Sequence, residues 1–338
     1  CSLIKCEQAE SLRPARYQVV LPDRRITITN DQRETLDELR REFPREIDRL
    51  AALYLDAVKR AQKIASSRVS YHIAVKRSAR SYLEKFRFSP ELLAFFAVQA
   101  HYFFGEGLST LTLSHLVLLL STPPAQFSGG FNRLAALIAS RIKEQNATTL
   151  WNEPWPLLHS RGRKADGIET SQGFIEARRV FINAPFENTE EALFLGIRED
   201  VLPVRMEQTV LCITDYRAPD KYISLSITPR GECAPADHRA LSAVFPVTGA
   251  PSTQEEQLGM LQNVIPFLKD FTTVAAMPDL RARMFAIPDT ISPRIYASRA
   301  PSSKSGHKTF KNVLLTPDSS RMLFSTARDA CEIVQQFS

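Results

Sequence analysis

Hydrophobic and polar positions follow first a β-type period and then a helical period in the early part of the chain. Tyr17–Pro22 and Arg25–Thr29 are rich in apolar and β-branched residues, and the polar turn between them predicts a β-hairpin. A capping pattern at the start of Asp31–Phe43 predicts a helix that stops before a proline. Apolar residues recur at helical spacing over Ile47–Ile64, which predicts a second helix.

Two further segments are apolar on nearly every side. Leu92–Phe104 and Leu108–Leu120 are separated by Gly105–Gly107, so we expect two helices with a break between them. Neither segment reaches the roughly 20 residues that a membrane-spanning helix needs. The pattern indicates a buried core, the wall of an apolar tunnel or a face that dips into a membrane.

The middle of the chain predicts a helix, a β-meander and a buried strand, in that order. The helix begins at a glycine pair and covers Gly129–Lys143. Gly167–Thr170 and Phe174–Ala177 are strand-like pieces on either side of a short turn. Val180–Ile182 is a short apolar run that is typical of a strand buried on both faces.

The second half of the chain predicts mainly strands. A helix is expected over Asn188–Leu195, and another over Thr253–Phe271 with a kink or break at Pro266. Three runs predict an antiparallel sheet: Glu207–Asp215, Tyr222–Thr228 and Ala240–Val247. Asn312–Thr316 predicts a closing strand, and a turn and an amphipathic helix are expected after it.

Composition narrows the class of protein. The 338 residues can form two domains, and 44% hydrophobic with 24% charged residues is ordinary for a globular protein. The net charge is +6, but the arginines of the first helices are mixed with acidic residues. No basic stripe with interleaved aromatic residues is evident, so we do not expect nucleic-acid binding.

The cysteines indicate a reducing compartment. Five are scattered along the chain, without a CxxC pair or a spacing typical of metal ligands: Cys1, Cys6, Cys212, Cys233 and Cys331. We therefore expect no metal site and a cytoplasmic protein, with peripheral contact to a membrane as an option. A hydrolase is disfavoured because no G-x-S-x-G nucleophile motif occurs.

The order of these pieces resembles the phytoene desaturase and retinol saturase group of the amine-oxidase-like flavoproteins. Six segments carry the resemblance: Tyr17–Ile26, Asp31–Arg49, Gly129–Leu134, Gly167–Ala184, Ile287–Pro293 and Asn312–Val334. The resemblance implies a mixed α/β (α+β) fold. In it, an incomplete Rossmann-like FAD/NAD(P)-binding domain is interleaved with a substrate domain made of an antiparallel sheet and helices. The FAD-binding-like domain would comprise residues 127–190 and 305–338, and the substrate domain residues 1–126 and 191–304.

The resemblance also implies an activity and a site. The protein would be an FAD-dependent oxidoreductase that desaturates or saturates C–C bonds of a hydrophobic, isoprenoid, carotenoid or retinoid-like substrate. The implied cofactor-binding residues are Gly129, Gly130, Asn183, Ala184, Asp318 and Ser319. The candidate substrate-binding residues are Phe95, Phe96, His101, Tyr102 and Phe103. Ordinary turns, a helix cap and core packing are the alternatives for these residues, and no catalytic residue is predicted.

Two departures from the family pattern leave a second hypothesis open. The G-x-G-x-x-G loop that holds the FAD pyrophosphate is absent, and Gly105–Thr110 matches it only in part, within a helical block. The closing turn Asp318–Ala327 lacks the glycines that allow backbone to approach a flavin ring. Either about 80 residues with the dinucleotide-binding start precede Cys1, or the chain is a non-catalytic binding or partner module that has lost FAD.

Overall fold

The computed structural model describes most of the chain between residues 12 and 277, together with residues 313–315. The gaps within the first range are residues 123, 128–129, 146, 151–152, 154–156, 162–163, 179, 183–189, 229–234, 236, 247–252 and 269–270. The chain forms two compact units. The larger unit comprises Cys1–Arg141 and Glu190–Pro278, and the smaller unit comprises Ile142–Thr189 and Asp279–Ser338. The assignment of separate cofactor and substrate domains stays a prediction.

In the described parts of the chain, six α-helices follow one another between residues 32 and 121, and most of the strands lie after residue 156. The helices are α1 Gln32–Glu42, α2 Ile47–Ser66, α3 Arg68–Lys76, α4 Ala79–Leu83, α5 Pro90–Phe104, α6 Leu113–Ser121, α7 Gly130–Glu144 and α8 Gln254–Val264. The strands of the larger unit are β1 Leu12–Pro14, β2 Tyr17–Leu21, β3 Arg24–Ile28, β4 Ala125–Phe127, β9 Glu190–Arg198, β10 Thr209–Cys212, β11 Ile223–Ile227, β12 His238–Pro246 and β13 Phe271–Met277. The strands of the smaller unit are β5 Leu157–Arg161, β6 Lys164–Thr170, β7 Gly173–Glu176, β8 Val180–Ile182 and β14 Val313–Leu315.

A seven-stranded mixed sheet is the centre of the larger unit. Its strand order is β13-β9-β12-β11-β10-β2-β3, and every neighbouring pair is antiparallel except β10 and β2. The predicted hairpin is confirmed as β2 and β3, and the predicted three-stranded sheet as β10, β11 and β12. Together with the helices, this arrangement confirms the mixed α/β fold class.

The sheet has a hydrophobic core on each face. Leu211 of β10 packs with α1, α2, α5 and α6, whereas its neighbours Val210 and Cys212 pack with α8. Successive residues of a strand point to opposite faces, so the two cores lie on opposite sides of the sheet. Phe95 and Phe96 of α5 have no exposed surface and belong to the core on the helical side. The all-round apolar character of α5 is therefore explained by burial.

Two elements of the second half differ from the prediction. The expected helix at Asn188–Leu195 is wrong, because Glu190–Arg198 forms strand β9 between β12 and β13. Its alternate residues Leu193, Leu195 and Ile197 are buried in the core beneath α8, and pairing on both sides overrides the local helix propensity. The next helix ends at Val264, before the predicted break, and the chain then forms β13, which the sequence did not predict.

The smaller unit contains two separate sheets. β5, β6 and β7 form an antiparallel meander, with Gly173 in the left-handed region at φ 114° in the tight turn. The two predicted strand pieces are confirmed as β6 and β7, whereas β5 was not predicted. β8 does not continue this meander. It pairs in parallel with β14, so that Ile182 lies opposite Leu315. The predicted closing strand is thus confirmed as β14, and the helix expected after it lies outside the described residues.

The hydrogen bond between Tyr17 and Gln99 ties the sheet to α5 and gives a stability prediction. The Tyr17 hydroxyl donates to Gln99 Oε1 at 2.7 Å, and both side chains are buried. Tyr17→Phe would leave that amide oxygen buried without a donor, so we expect the free energy of unfolding to fall by about 1–2 kcal/mol. Chemical denaturation measures this difference.

Tyr54→Phe is the matched control for this prediction. Tyr54 is also buried, and its hydroxyl has no hydrogen bond within the described part of the chain. We expect its loss to change the free energy of unfolding by less than about 0.5 kcal/mol. Equal effects of the two variants would show that the Tyr17–Gln99 bond adds nothing to stability.

Candidate functional site

The turn after α5 and the start of α6 carry two of the four buried polar side-chain atoms that have no hydrogen-bond partner among the described residues. Local sequence fixes the ends of α5. The Ser89 side chain accepts a hydrogen bond from Leu92 N at the start, and Pro90 occupies the first turn. Gly105 ends the helix with φ 69°, and its N–H donates to His101 O at 2.9 Å. A left-handed residue is needed there, which explains the glycine at the break.

Four aromatic side chains, the aromatic cluster, lie between α5 and the sheet. Tyr102 and Phe103 are half-buried, with their ring centroids 4.9 Å apart in an edge-to-face arrangement. Phe103 contacts Tyr17 of β2 at 5.6 Å, and Tyr102 contacts Tyr222, next to β11, at 6.3 Å. The half-buried rings present apolar surface beside the core, which suits contact with an apolar ligand.

The predicted substrate-binding residues occupy two different environments. Tyr102 and Phe103 belong to the aromatic cluster, and His101 lies next to them on α5. Phe95 and Phe96 pack against each other one to two turns earlier, at a centroid distance of 5.2 Å in the closed core. Contact of any of these side chains with a substrate stays a prediction.

Glu106 and His115, the polar pair, face each other across the break between α5 and α6. Glu106 Oε2 lies 4.0 Å from His115 Nδ1, which is too long for a hydrogen bond. Both atoms are buried and have no hydrogen-bond partner among the described residues. The Phe104 ring stacks on His115 at a centroid distance of 4.7 Å and closes one side of the pair.

Burial shifts the titration of both members of the polar pair. Desolvation raises the pKa of the Glu106 carboxyl, because the charged form loses contact with water. Desolvation also lowers the pKa of the His115 imidazole, for the same reason. Each shift favours the neutral form. A neutral carboxyl and a neutral imidazole can both donate and accept hydrogen bonds.

The His101 ring lies against the backbone of the same turn. A Cβ atom on Gly107 would lie 3.4 Å from both Cε1 and Nε2 of His101, so a larger residue at that position would crowd the imidazole. His101 also occupies the last turn of α5, where the helix dipole favours positive charge. The end of α5, the turn after it and the start of α6 therefore hold two histidines and one carboxyl within 15 residues.

This arrangement suits hydrogen bonding to one oxygen atom better than metal binding. Two atoms 4.0 Å apart can both reach a single oxygen at hydrogen-bond distance. No group of three or more potential metal ligands occurs in the described part of the chain. The chemistry available is therefore recognition of a hydroxyl or carbonyl, and transfer of a proton to or from it.

The residues predicted to bind the cofactor lie almost entirely outside the described ranges. Gly130 is the first residue of α7, whereas Gly129, Asn183, Ala184, Asp318 and Ser319 are not described. The strands that precede the last four residues are informative. β8 ends at Ile182 and β14 at Leu315, and the parallel pairing puts both ends at the same edge of the sheet. Cofactors bind at the carboxyl edge of parallel strands in open α/β sheets.

Sequence reasoning missed the polar pair. The sequence did carry a signal, since Glu106 is the one carboxylate between Leu92 and Leu120, and it occupies the break between the two apolar segments. His115 gave no such signal, because it stands alone among the leucines of α6. The approach of these two side chains depends on how the chain turns at Gly105 and Gly107.

Comparison with known proteins shows the fold. No protein-family model matches the sequence, and no curated protein does. A crystal structure of an oxidoreductase from Methanosarcina mazei is similar, with a TM-score of 0.53 and 12% identity over 91% of this chain and 76% of that one. A crystal structure of a RAB GDI from Plasmodium falciparum is also similar, with a TM-score of 0.54 and 9% identity. The match covers 96% of this chain and 76% of the RAB GDI chain. At these identities the likeness shows a shared fold alone, and it does not single out phytoene desaturases.

The lowered pKa of His115 predicts a pH dependence of stability. When the folded-state pKa of a histidine is below its unfolded value, the unfolded state binds more protons as pH falls, so stability decreases. We expect the free energy of unfolding of the wild type, relative to His115→Phe, to decrease as pH falls from about 7.5 to about 5. Denaturation at several pH values measures the difference.

The raised pKa of Glu106 acts in the opposite direction and supplies the control. Its protonated form is favoured by folding, so its contribution to stability is lost as pH rises through its folded pKa. Glu106→Gln removes this contribution while His115 keeps its own. A pH-independent difference between the wild type and His115→Phe would mean that His115 is not desolvated in solution.

Proposed function

We propose that the chain is part of an FAD-dependent oxidoreductase that desaturates or saturates C–C bonds of a hydrophobic substrate. The observation that carries this proposal is the likeness of its fold to that of the Methanosarcina mazei oxidoreductase over nearly the whole chain. In such an enzyme the flavin supplies the redox chemistry, and the protein binds and orients the substrate. A catalytic triad is not required.

The geometry of the smaller unit supports the cofactor assignment. Asn183 and Ala184 follow β8 directly, and Asp318 and Ser319 follow β14 after a few residues. Because the two strands are parallel and in register, both chain segments leave the sheet at the same edge. These four residues would bind the FAD. For Gly129 and Gly130, which belong to the larger unit, a role in FAD binding is a separate proposal.

The aromatic cluster supports an apolar substrate. Tyr102 and Phe103 keep part of their ring surface exposed at the end of a helix that is otherwise buried. An isoprenoid, carotenoid or retinoid-like molecule could pack against such surface through dispersion and the hydrophobic effect. The polar pair begins with Glu106, three residues after Phe103, and its His115 stacks on Phe104. It would bind a hydroxyl or carbonyl oxygen of the same ligand.

A second function has its own support. The RAB GDI of Plasmodium falciparum has an equally similar fold, and its name does not describe an oxidoreductase. The segment Asp318–Ala327 contains no glycine, although close approach to a flavin ring would require small residues there. On this alternative the chain is a non-catalytic, flavoprotein-like binding or partner module that uses the apolar surface without FAD.

The flavin content of the natural protein separates the two functions. We expect the full-length natural protein, purified after expression with added riboflavin, to absorb at about 450 nm, as bound flavins do. We also expect it to release FAD on denaturation. Absorbance spectroscopy and chromatography of the released cofactor measure this.

The test variant is Asp318→Ala, since Asp318 is a proposed FAD ligand. Its matched control is Asp37→Ala, which removes an exposed carboxylate on α1 that has no proposed role in FAD binding. We expect Asp318→Ala to retain less flavin and Asp37→Ala to retain the wild-type amount. A colourless full-length protein that releases no flavin would contradict the oxidoreductase and leave the binding module.

Recognition of a ligand oxygen by the polar pair can be measured with two matched isoprenoids. We expect the protein to bind farnesol about tenfold more tightly than the hydrocarbon farnesene, since one or two net hydrogen bonds are worth about 1–2 kcal/mol. His115→Phe should abolish the preference while keeping the ring stacked on Phe104. Isothermal titration calorimetry measures both affinities.

The controls distinguish the polar pair from the apolar surface. Tyr102→Ala removes a ring of the aromatic cluster and should weaken both ligands by a similar factor. Equal affinity of the wild type for alcohol and hydrocarbon would contradict the role of the polar pair alone. Failure of both ligands to bind would contradict the apolar substrate class as well.

A further inference from the structure

Helix α3 is exposed along an apolar stripe. Val69 and Ile73 lie one turn apart on its outer side, with 69% and 49% of their surface exposed. His72 and Lys76 are exposed on the same side, and we call these four residues the α3 outer face. The buried Ala74 lies on the opposite side, and the helix packs against α2 and α6. Ser67 caps α3 by accepting a hydrogen bond from Ser70 N.

The chain around α3 is strongly basic. No Asp or Glu occurs between Asp56 and Glu84. Seven basic residues occur in the same stretch, which we call the basic segment: Lys59, Arg60, Lys63, Arg68, Lys76, Arg77 and Arg80. Their charge exceeds the net charge of +6 of the whole chain, so the positive charge of the protein is concentrated here.

Part of this charge has no counter-charge nearby. Arg60 pairs with Asp56, and Arg80 pairs with Glu84 at 3.2 Å, both at the ends of the basic segment. Lys63, Lys76 and Arg77 are exposed and have no carboxylate within ion-pair distance among the residues that the structure describes. On the α3 outer face, the exposed Lys76 lies next to the exposed aliphatic side chains of Val69 and Ile73.

We propose that the α3 outer face and the basic segment dock the protein on an anionic lipid surface. Aliphatic side chains on a surface helix gain free energy when they enter the acyl boundary, and flanking lysines are attracted to negatively charged headgroups. A nucleic acid would satisfy the charges but would leave Val69 and Ile73 in water. The proposed contact is interfacial. No helix in the described ranges is long and apolar enough to cross a membrane.

A membrane-dipping face was one of three interpretations of the apolar segments of α5 and α6. Their residues Phe95, Phe96 and Leu116 are fully buried, which agrees with the alternative of core packing. α3 is less apolar overall, yet it exposes its apolar side chains. The proposal does not depend on the flavin, because it rests on exposure and charge alone.

Sedimentation with lipid vesicles tests the proposal. The whole chain is mixed with vesicles of phosphatidylcholine alone and of phosphatidylcholine with phosphatidylglycerol, at low and high salt. We expect binding to the anionic vesicles, weakening as salt rises, and little binding to the neutral ones. Equal binding to both kinds of vesicle, or no binding to the anionic ones, would overturn the proposal.

Surface variants locate the contact. Lys63→Gln and Lys76→Gln should each lower partitioning to the anionic vesicles about fivefold, the equivalent of about 1 kcal/mol per lysine. The double variant Val69→Ser with Ile73→Ser should lower it about tenfold. Because these side chains are exposed, the thermal unfolding temperature should stay close to the wild-type value, which circular dichroism measures.

Matched control variants change exposed residues outside the α3 outer face and the basic segment. Val204 is 85% exposed, and Lys221 is an exposed lysine outside the basic segment. Val204→Ser and Lys221→Gln should bind the anionic vesicles as the wild type does. Wild-type binding by the Val69→Ser, Ile73→Ser variant, or equal losses in the control variants, would show that α3 is not the docking surface.

Discussion

The parallel pairing of β2 with β10 is the contact on which the larger unit depends. Val19 lies opposite Leu211 and joins the first hairpin to strands from the second half of the chain. Gln18 holds this junction, since its buried amide donates to Arg205 O at 2.9 Å and accepts from Glu207 N at 3.1 Å. A buried amide without partners would cost stability, so the two bonds fix the register.

This junction also places the groups of the candidate site. Tyr17 of β2 reaches α5, where its hydroxyl meets Gln99 and its ring meets Phe103. The end of α5 is thereby held against the sheet, and the turn that follows keeps Glu106 near His115. The site therefore consists of residues that are local in sequence but positioned by a strand pairing from another part of the chain.

The apolar helices α5 and α6 are buried, whereas α3 exposes apolar side chains. α5 and α6 are apolar on all sides and fill the core, so the polar groups at their junction lie in an environment that disfavours charge. α3 is amphipathic, but its outer side keeps Val69 and Ile73 in water. An apolar substrate surface and a lipid-facing surface would thus occupy different helices of the same unit.

The sequence by itself determined the elements that depend on neighbours along the chain. The hairpin, α1, α2, the break at Gly105 and the closing strand β14 follow from period, caps and turn residues, which act over a few residues. Tertiary structure decided the rest. Glu190–Arg198 became a strand because two partners bury its alternate residues, and Glu106 met His115 because the turn between their helices brings them together. The strand pairing depends on contacts between distant segments, and the approach of Glu106 to His115 depends on the geometry of the turn; local propensity encodes neither.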